Sequence, residues 1–158
     1  MDTMTSAMLD RHPLALRKMK LSEVQEAYPI PPEMLSVATK YGVILTRQKY
    51  LGMNHAGAGP TGIELGPFDD STKEWVVFFH ELGHIVSARY MEDAGVTSFL
   101  NRISCEAMAW EFGFCIANKE GYSHLFESNE RQMAKNLFHT YNDGESWDNG
   151  ESISRLLG

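Results

Sequence analysis

Positive charge is scarce in this chain. Lys and Arg number 14 against 21 Asp and Glu, which leaves a formal net charge of −7 and a pI near 5.3. No basic run interrupts that acidity, which argues against a nucleic-acid-binding surface. Long apolar runs are also missing, so no segment reads as a membrane span. Residues 1–20 lack the apolar stretch of a secretory signal peptide. Cysteine is nearly absent. Cys105 and Cys115 are the only two, on one predicted helix and separated by about 15 Å along its axis, too far for a disulfide. Reduced thiols without an export signal suggest the cytoplasm. What remains is a 158-residue chain, 43% hydrophobic, enough for one domain around a single core.

Residues 80–84 read His80-Glu81-Leu82-Gly83-His84, an HExxH pattern. On a helix, positions i and i+4 lie about 40° apart around the axis and about 6 Å along it. Both imidazoles then project from one face and can hold one Zn²⁺. Glu81 stands beside them, where a carboxylate can take a proton from a zinc-activated water and hand it to a leaving amine. The setting favours this over two packing or surface histidines. Residues 72–91 predict a helix, with Ser71 as N-cap and Glu74 completing a capping box. Trp75, Phe78, Leu82, Ile85 and Val86 lie on the side away from the histidines, and Val76, Val77, Ser87 and Met91 share theirs. A helix apolar on both sides is expected to be buried, and buried imidazoles facing one way need partners. Gly83 costs about 1 kcal/mol relative to Ala in a helix interior, which is tolerable where another backbone must pass close by.

The rest of the chain frames that helix. Residues 1–20 read as a loose segment, 21–142 as the folded domain and 143–158 as an acidic, Gly-rich tail. Short helices are expected over 21–27 and between Pro31-Pro32 and Gly42, where Met34, Leu35, Ala38 and Tyr41 recur at helical spacing. Residues 43–48 read as a strand, 54–62 as a flexible loop and 63–65 as a second strand ended by Gly66-Pro67. Gly57 and Gly62 have the spacing of a phosphate-binding loop, but Ile63 and Glu64 follow where Lys and Ser or Thr are needed, so nucleotide binding is rejected. The strand over 63–65 is expected at a sheet edge bordering the metal cleft, free to pair with an extended peptide. His55 in the preceding loop reads as a surface residue. Downstream, Ser104 is expected to cap a helix running to about residue 118, a connection covers 121–127, and a third long helix covers 129–141. The tail's clustered carboxylates read as solvated turns rather than a Ca²⁺ site.

A zinc ion that does chemistry commonly has three protein ligands and one open position. The extended metzincin pattern needs Gly at 87 and His at 90, where Ser87 and Tyr90 stand, so that class is excluded. Asp93, Glu106 and Glu111 are the acidic candidates for the third ligand. Glu106 is preferred. It shares a helix side with Ala109, Trp110, Gly113 and Ala117, and three of these are small enough for a close approach to the metal helix. Glu111 lies roughly 140° away around the helix, and Asp93 sits in a turn, where Asp has a local reason to occur. An oxyanion donor is also expected. Tyr122 and His124 are candidates, as are Tyr50, His55, His139 and Tyr141, and nothing in the sequence separates them.

With HELGH and the later Cys105-Glu106-Ala107-Met108-Ala109-Trp110 segment in place, the chain resembles the gluzincin-type zinc peptidases, and most closely the small ImmA/IrrE-like metallopeptidases. The resemblance covers about residues 30–118. It implies an α+β zincin-like domain with N-terminal helices, a small sheet of about three strands, an active-site helix and a third-ligand helix. It implies Zn²⁺ held by His80, His84 and Glu106, with Glu81 as the catalytic carboxylate. It also implies an intracellular peptide or protein substrate, a DNA-binding regulator being one kind. Two other readings compete with this one. A zinc-stabilised, catalytically silent binding module has no need of Glu81. Peptide deformylase, another HExxH enzyme, takes an upstream Cys ligand, whereas both cysteines here lie downstream.

Overall fold

The computed structural model describes residues 18–49, 52–95 and 102–126, without the side chains of 102–104. The helix expected over 129–141, the tail, nearly all of the N-terminal segment, and Tyr50, His139 and Tyr141 lie outside the described residues. Within them the protein is α+β, with four α-helices and one three-stranded sheet. The elements are α1 (Leu21–Ala27), α2 (Pro32–Lys40), β1 (Ile44–Arg47), β2 (Ala56–Ala58), β3 (Gly62–Leu65), α3 (Ser71–Asp93) and α4 (Arg102–Lys119), followed by a 3₁₀ turn at Ser123–Leu125. The chain forms two units, residues 1–78 and 79–158. The boundary falls inside α3, so each unit contains part of that helix.

In the first unit, α2 starts with Pro32 in its first turn, where the missing N–H has no helical partner to lose. It buries Met34, Val37 and Ala38, spaced for one helix face, and leaves Leu35 exposed. Gly42 then adopts a φ of +67°, and the chain turns into β1.

The sheet order is β1-β3-β2. β3 runs parallel to β1 and antiparallel to β2. The expected edge position of residues 63–65 is therefore corrected: they form the central strand. The cause lies in the stretch read as a flexible loop. Ala56–Ala58 is a strand in its own right, and the Gly59 N–H donates to the Gly62 carbonyl at 2.8 Å to fold it back on β3. That pairing occupies the side of β3 that would otherwise be free. Gly66 closes the hairpin's far end, and a Cβ there would stand 2.8 Å from the His55 carbonyl oxygen, so only glycine fits without displacement.

Alternation along β1 and β3 turns Leu45, Ile63 and Leu65 inward, and Arg47 lies in the same row, 3% exposed. A buried guanidinium needs partners for its donors. Arg47 donates through Nη1 to Glu74 Oε2 (2.5 Å) and the Gly66 carbonyl (2.8 Å), through Nε to the Tyr28 carbonyl (2.6 Å), and through Nη2 to the Pro29 carbonyl (3.2 Å). Glu74 thus serves as a buried counter-ion rather than as part of a capping box. The cap is Asp70, not Ser71: its Oδ1 accepts from the Lys73 N–H at 3.0 Å, satisfying one of the free donors of the first turn.

In the second unit the remainder of α3 meets α4 at two glycines. A Cβ on Gly83 would collide with the Ala109 carbonyl oxygen and stand 2.9 Å from Gly113 N; a Cβ on Gly113 would stand 2.7 Å from the Phe79 carbonyl oxygen. As α4 advances from Ala109 to Gly113, its neighbour on α3 retreats from Gly83 to Phe79, so the helices run antiparallel. Of the small residues expected to permit close approach, Ala109 and Gly113 are at the crossing. Phe79, Leu82 and Ile85 from α3 and Met108, Ala109 and Ala117 from α4 are buried. Phe79 also meets Tyr122 and Phe126, at ring-centroid distances of 5.6 and 5.9 Å. No helix among the described residues is long and apolar enough to cross a membrane.

Candidate metal centre

The glycine crossing sets the reach of one carboxylate. His80 and His84 share a face of α3, and Glu106 comes from α4, three and seven residues before Ala109 and Gly113. With no side chain between the backbones, the Glu106 carboxylate reaches both rings. Its Oε2 lies 3.0 Å from His80 Nε2 and its Oε1 3.3 Å from His84 Nε2. The two Nε2 atoms are 3.2 Å apart.

These separations would also fit a coordination shell. Donors at about 2.05 Å from a tetrahedral Zn²⁺ stand about 3.3 Å from one another, and His₂Glu is an established catalytic zinc set. Among the described residues, His80, His84 and Glu106 are the group of His, Cys, Asp or Glu side chains able to hold a metal ion. His80 Nδ1 is buried and has no hydrogen-bond partner among those residues, so the ring's only polar engagement is through Nε2, toward the cluster.

The protonation equilibria reflect the same crowding. Burial raises the Glu106 carboxyl, but hydrogen bonds and charge from His80 and His84 outweigh it and hold the group well below the usual carboxylate range. Burial also lowers His84, and there the hydrogen bond and charge of Glu106, with the charge of Glu81, win, so its value is raised. For His80 burial wins over the Glu106 hydrogen bond, and its value is lowered. Glu81 behaves oppositely to Glu106. Burial, opposed by the charge of His84 and helped by that of Glu106, pushes its carboxyl up to about 7.

The other sequence candidates lie elsewhere. Asp93 is the exposed last residue of α3, and Glu111 is half-buried on α4 outside the group of three. His55 is exposed beside β2. Tyr122 packs on Phe79, and the exposed His124 stacks on Tyr122 with ring centroids 6.3 Å apart. For both, the geometry is that of ring packing. Cys105 and Cys115 are free thiols on α4, as their spacing requires.

Sequence reasoning put Trp110 on the Glu106 side of α4 without giving it a role. Its indole lies against the His80 imidazole, with centroids 4.1 Å apart and planes 35° apart. The signal was the i+4 spacing from Glu106, which is visible in the sequence; the partner across the crossing was not. No family model, curated protein or solved structure matches the chain.

Proposed function

We propose that this protein is a zinc-dependent peptidase of zincin type, related in design to the gluzincins, that hydrolyses peptide bonds of an intracellular protein. The observation that carries the reading is the convergence of His80 Nε2, His84 Nε2 and the Glu106 carboxylate within 3.0–3.3 Å, with Glu81 next in sequence and outside the donor set.

His80, His84 and Glu106 would hold the ion. When bound, Zn²⁺ supplies Lewis-acid polarisation of a scissile carbonyl and acidifies a water. The remaining work belongs to Glu81. In the metal-free protein burial raises the Glu81 carboxyl to about 7, and a cation bound beside it would favour the carboxylate form that accepts a proton. Glu81 takes the proton of the attacking water on a carboxylate oxygen and delivers it to the departing amide nitrogen. The three ligands make no proton transfer of their own, because their donor lone pairs would be taken up by the ion.

Glu81→Gln tests the reading. The variant should keep zinc near one per chain, like the wild type, while losing cleavage. The assay incubates a cell extract with either protein and profiles new peptide N-termini. Termini that appear with wild type and not with the variant support the peptidase. The same termini with both proteins would remove Glu81 from the mechanism. Zinc in both with no new termini would leave a zinc-stabilised binding module.

A further inference from the structure

A metal-bound histidine is ordinarily held in orientation by a hydrogen bond from its other ring nitrogen to a carboxylate, carbonyl or water. His80 departs from that pattern, since its Nδ1 is buried without such a partner among the described residues. Beyond the Glu106 contact at Nε2, its orientation is bounded by a neighbouring ring. Trp110 is the ring against it. A centroid distance of 4.1 Å at 35° is shorter than the roughly 4.5–7 Å usual for aromatic pairs. An imidazole turned edge-on about its Cβ–Cγ bond would be driven into the indole. The His84 ring also stands edge-on to the His80 imidazole, at 4.6 Å and 76°. The His80 backbone is fixed too, because the position a Cβ on Gly113 would take lies 3.5 Å from His80 Cα.

We infer that Trp110 is a positioning residue for the His80 ligand, its indole face replacing the missing hydrogen bond. This rests on the metal-centre reading above. Trp110 sits four residues after Glu106, so one turn of α4 supplies both a ligand and the wall that orients another. The orientation of the His80 imidazole is set by the aromatic plane together with the Glu106 contact at Nε2.

The test uses Co²⁺ added to the full-length, chelator-treated protein, followed by visible absorption and by competition for affinity. Trp110→Leu keeps apolar bulk and removes the plane, and Trp110→Phe keeps a plane. The leucine variant should bind Co²⁺ about tenfold or more weakly, with a shifted and altered ligand-field band. The phenylalanine variant should stay within about threefold of wild type and keep the wild-type band. A merely packing role would change the unfolding temperature of the metal-free protein and leave the band in place. Trp110→Met, similar in reach and without a ring, repeats the measurement should the leucine variant not fold. Wild-type affinity and an unchanged band in the ring-less variant would overturn the inference while leaving the metal centre standing. Failure of the wild type itself to take up Co²⁺ would overturn the metal centre, and the positioning role with it.

Discussion

Gly83→Ala separates local helix preference from helix packing, because the two demand opposite signs. Within an unobstructed helix, Ala is favoured over Gly by about 1 kcal/mol. At position 83 the added Cβ would collide with the Ala109 carbonyl oxygen, stand 2.8 Å from Ala109 C, and stand 2.9 Å from Gly113 N. All three are backbone atoms, so no side chain can swing away. Restoring ordinary contact requires α3 and α4 to separate by roughly 1 Å, and overpacking of this kind costs about 1–3 kcal/mol. With no soft neighbour the upper part of that range applies, and the net effect is a loss of about 1–2 kcal/mol. The same separation carries Glu106 away from rings it now approaches at 3.0 and 3.3 Å. Zinc affinity should fall about tenfold or more, as it does when ligand positioning is disturbed. Urea unfolding of the chelator-treated protein measures the first effect, and competition with a chromophoric chelator the second. A variant at least as stable as wild type, with zinc affinity within twofold, would refute the close crossing.

Other outcomes follow from individual residues. Glu106→Ala should weaken zinc binding more than about a hundredfold, beyond the effect of losing an outer hydrogen bond, while Glu111→Ala should leave it within about threefold; the reverse order would move the ligand. Glu74→Ala leaves Arg47 buried without its counter-ion and should cost about 3–5 kcal/mol in urea unfolding; a loss below about 1 kcal/mol would show that the carbonyl partners suffice. In metal-free protein, the Glu81 carboxyl is raised from an ordinary 4.5 to about 7, so between these values the folded state holds a proton that the unfolded chain has lost. Stability contributed there is full below 4.5 and is lost as pH rises through 7. Glu81→Gln lacks this dependence, so the stability of the variant relative to wild type should climb across that window and then level off. A pH-independent difference would contradict the buried setting of Glu81.

Several features were legible because they are local. The HELGH spacing puts two imidazoles on one helix face whatever surrounds it, and the small Ala109, Gly113 and Ala117 on the Glu106 side allow a close approach to the metal helix, which Ala109 and Gly113 make. Gly83 reads as tolerable where a backbone passes close by, and the Ala109 and Gly113 backbone does so. What could not be read depends on pairing across distance. Residues 63–65 alternate as either an edge or a central strand would, and only the pairing of Ala56–Ala58 decides. Ala-Gly-Ala carries little strand preference of its own, so that strand passed for loop. Glu74 fits a capping box by spacing, yet Asp70 one turn earlier takes the cap and Arg47 takes the carboxylate. Arg47 lies in a strand whose inward row is otherwise apolar, and an inward charge is visible only once the register is known. Trp110 shows the same limit, since its ring partner belongs to the other helix.

Zinc-edge anomalous diffraction from crystals of the wild-type protein tests the centre most directly. The account predicts one peak per chain, about 2.0–2.2 Å from His80 Nε2, His84 Nε2 and a Glu106 carboxylate oxygen. A zinc-replete crystal with no peak between those three side chains, or with its peak at other residues, would contradict it.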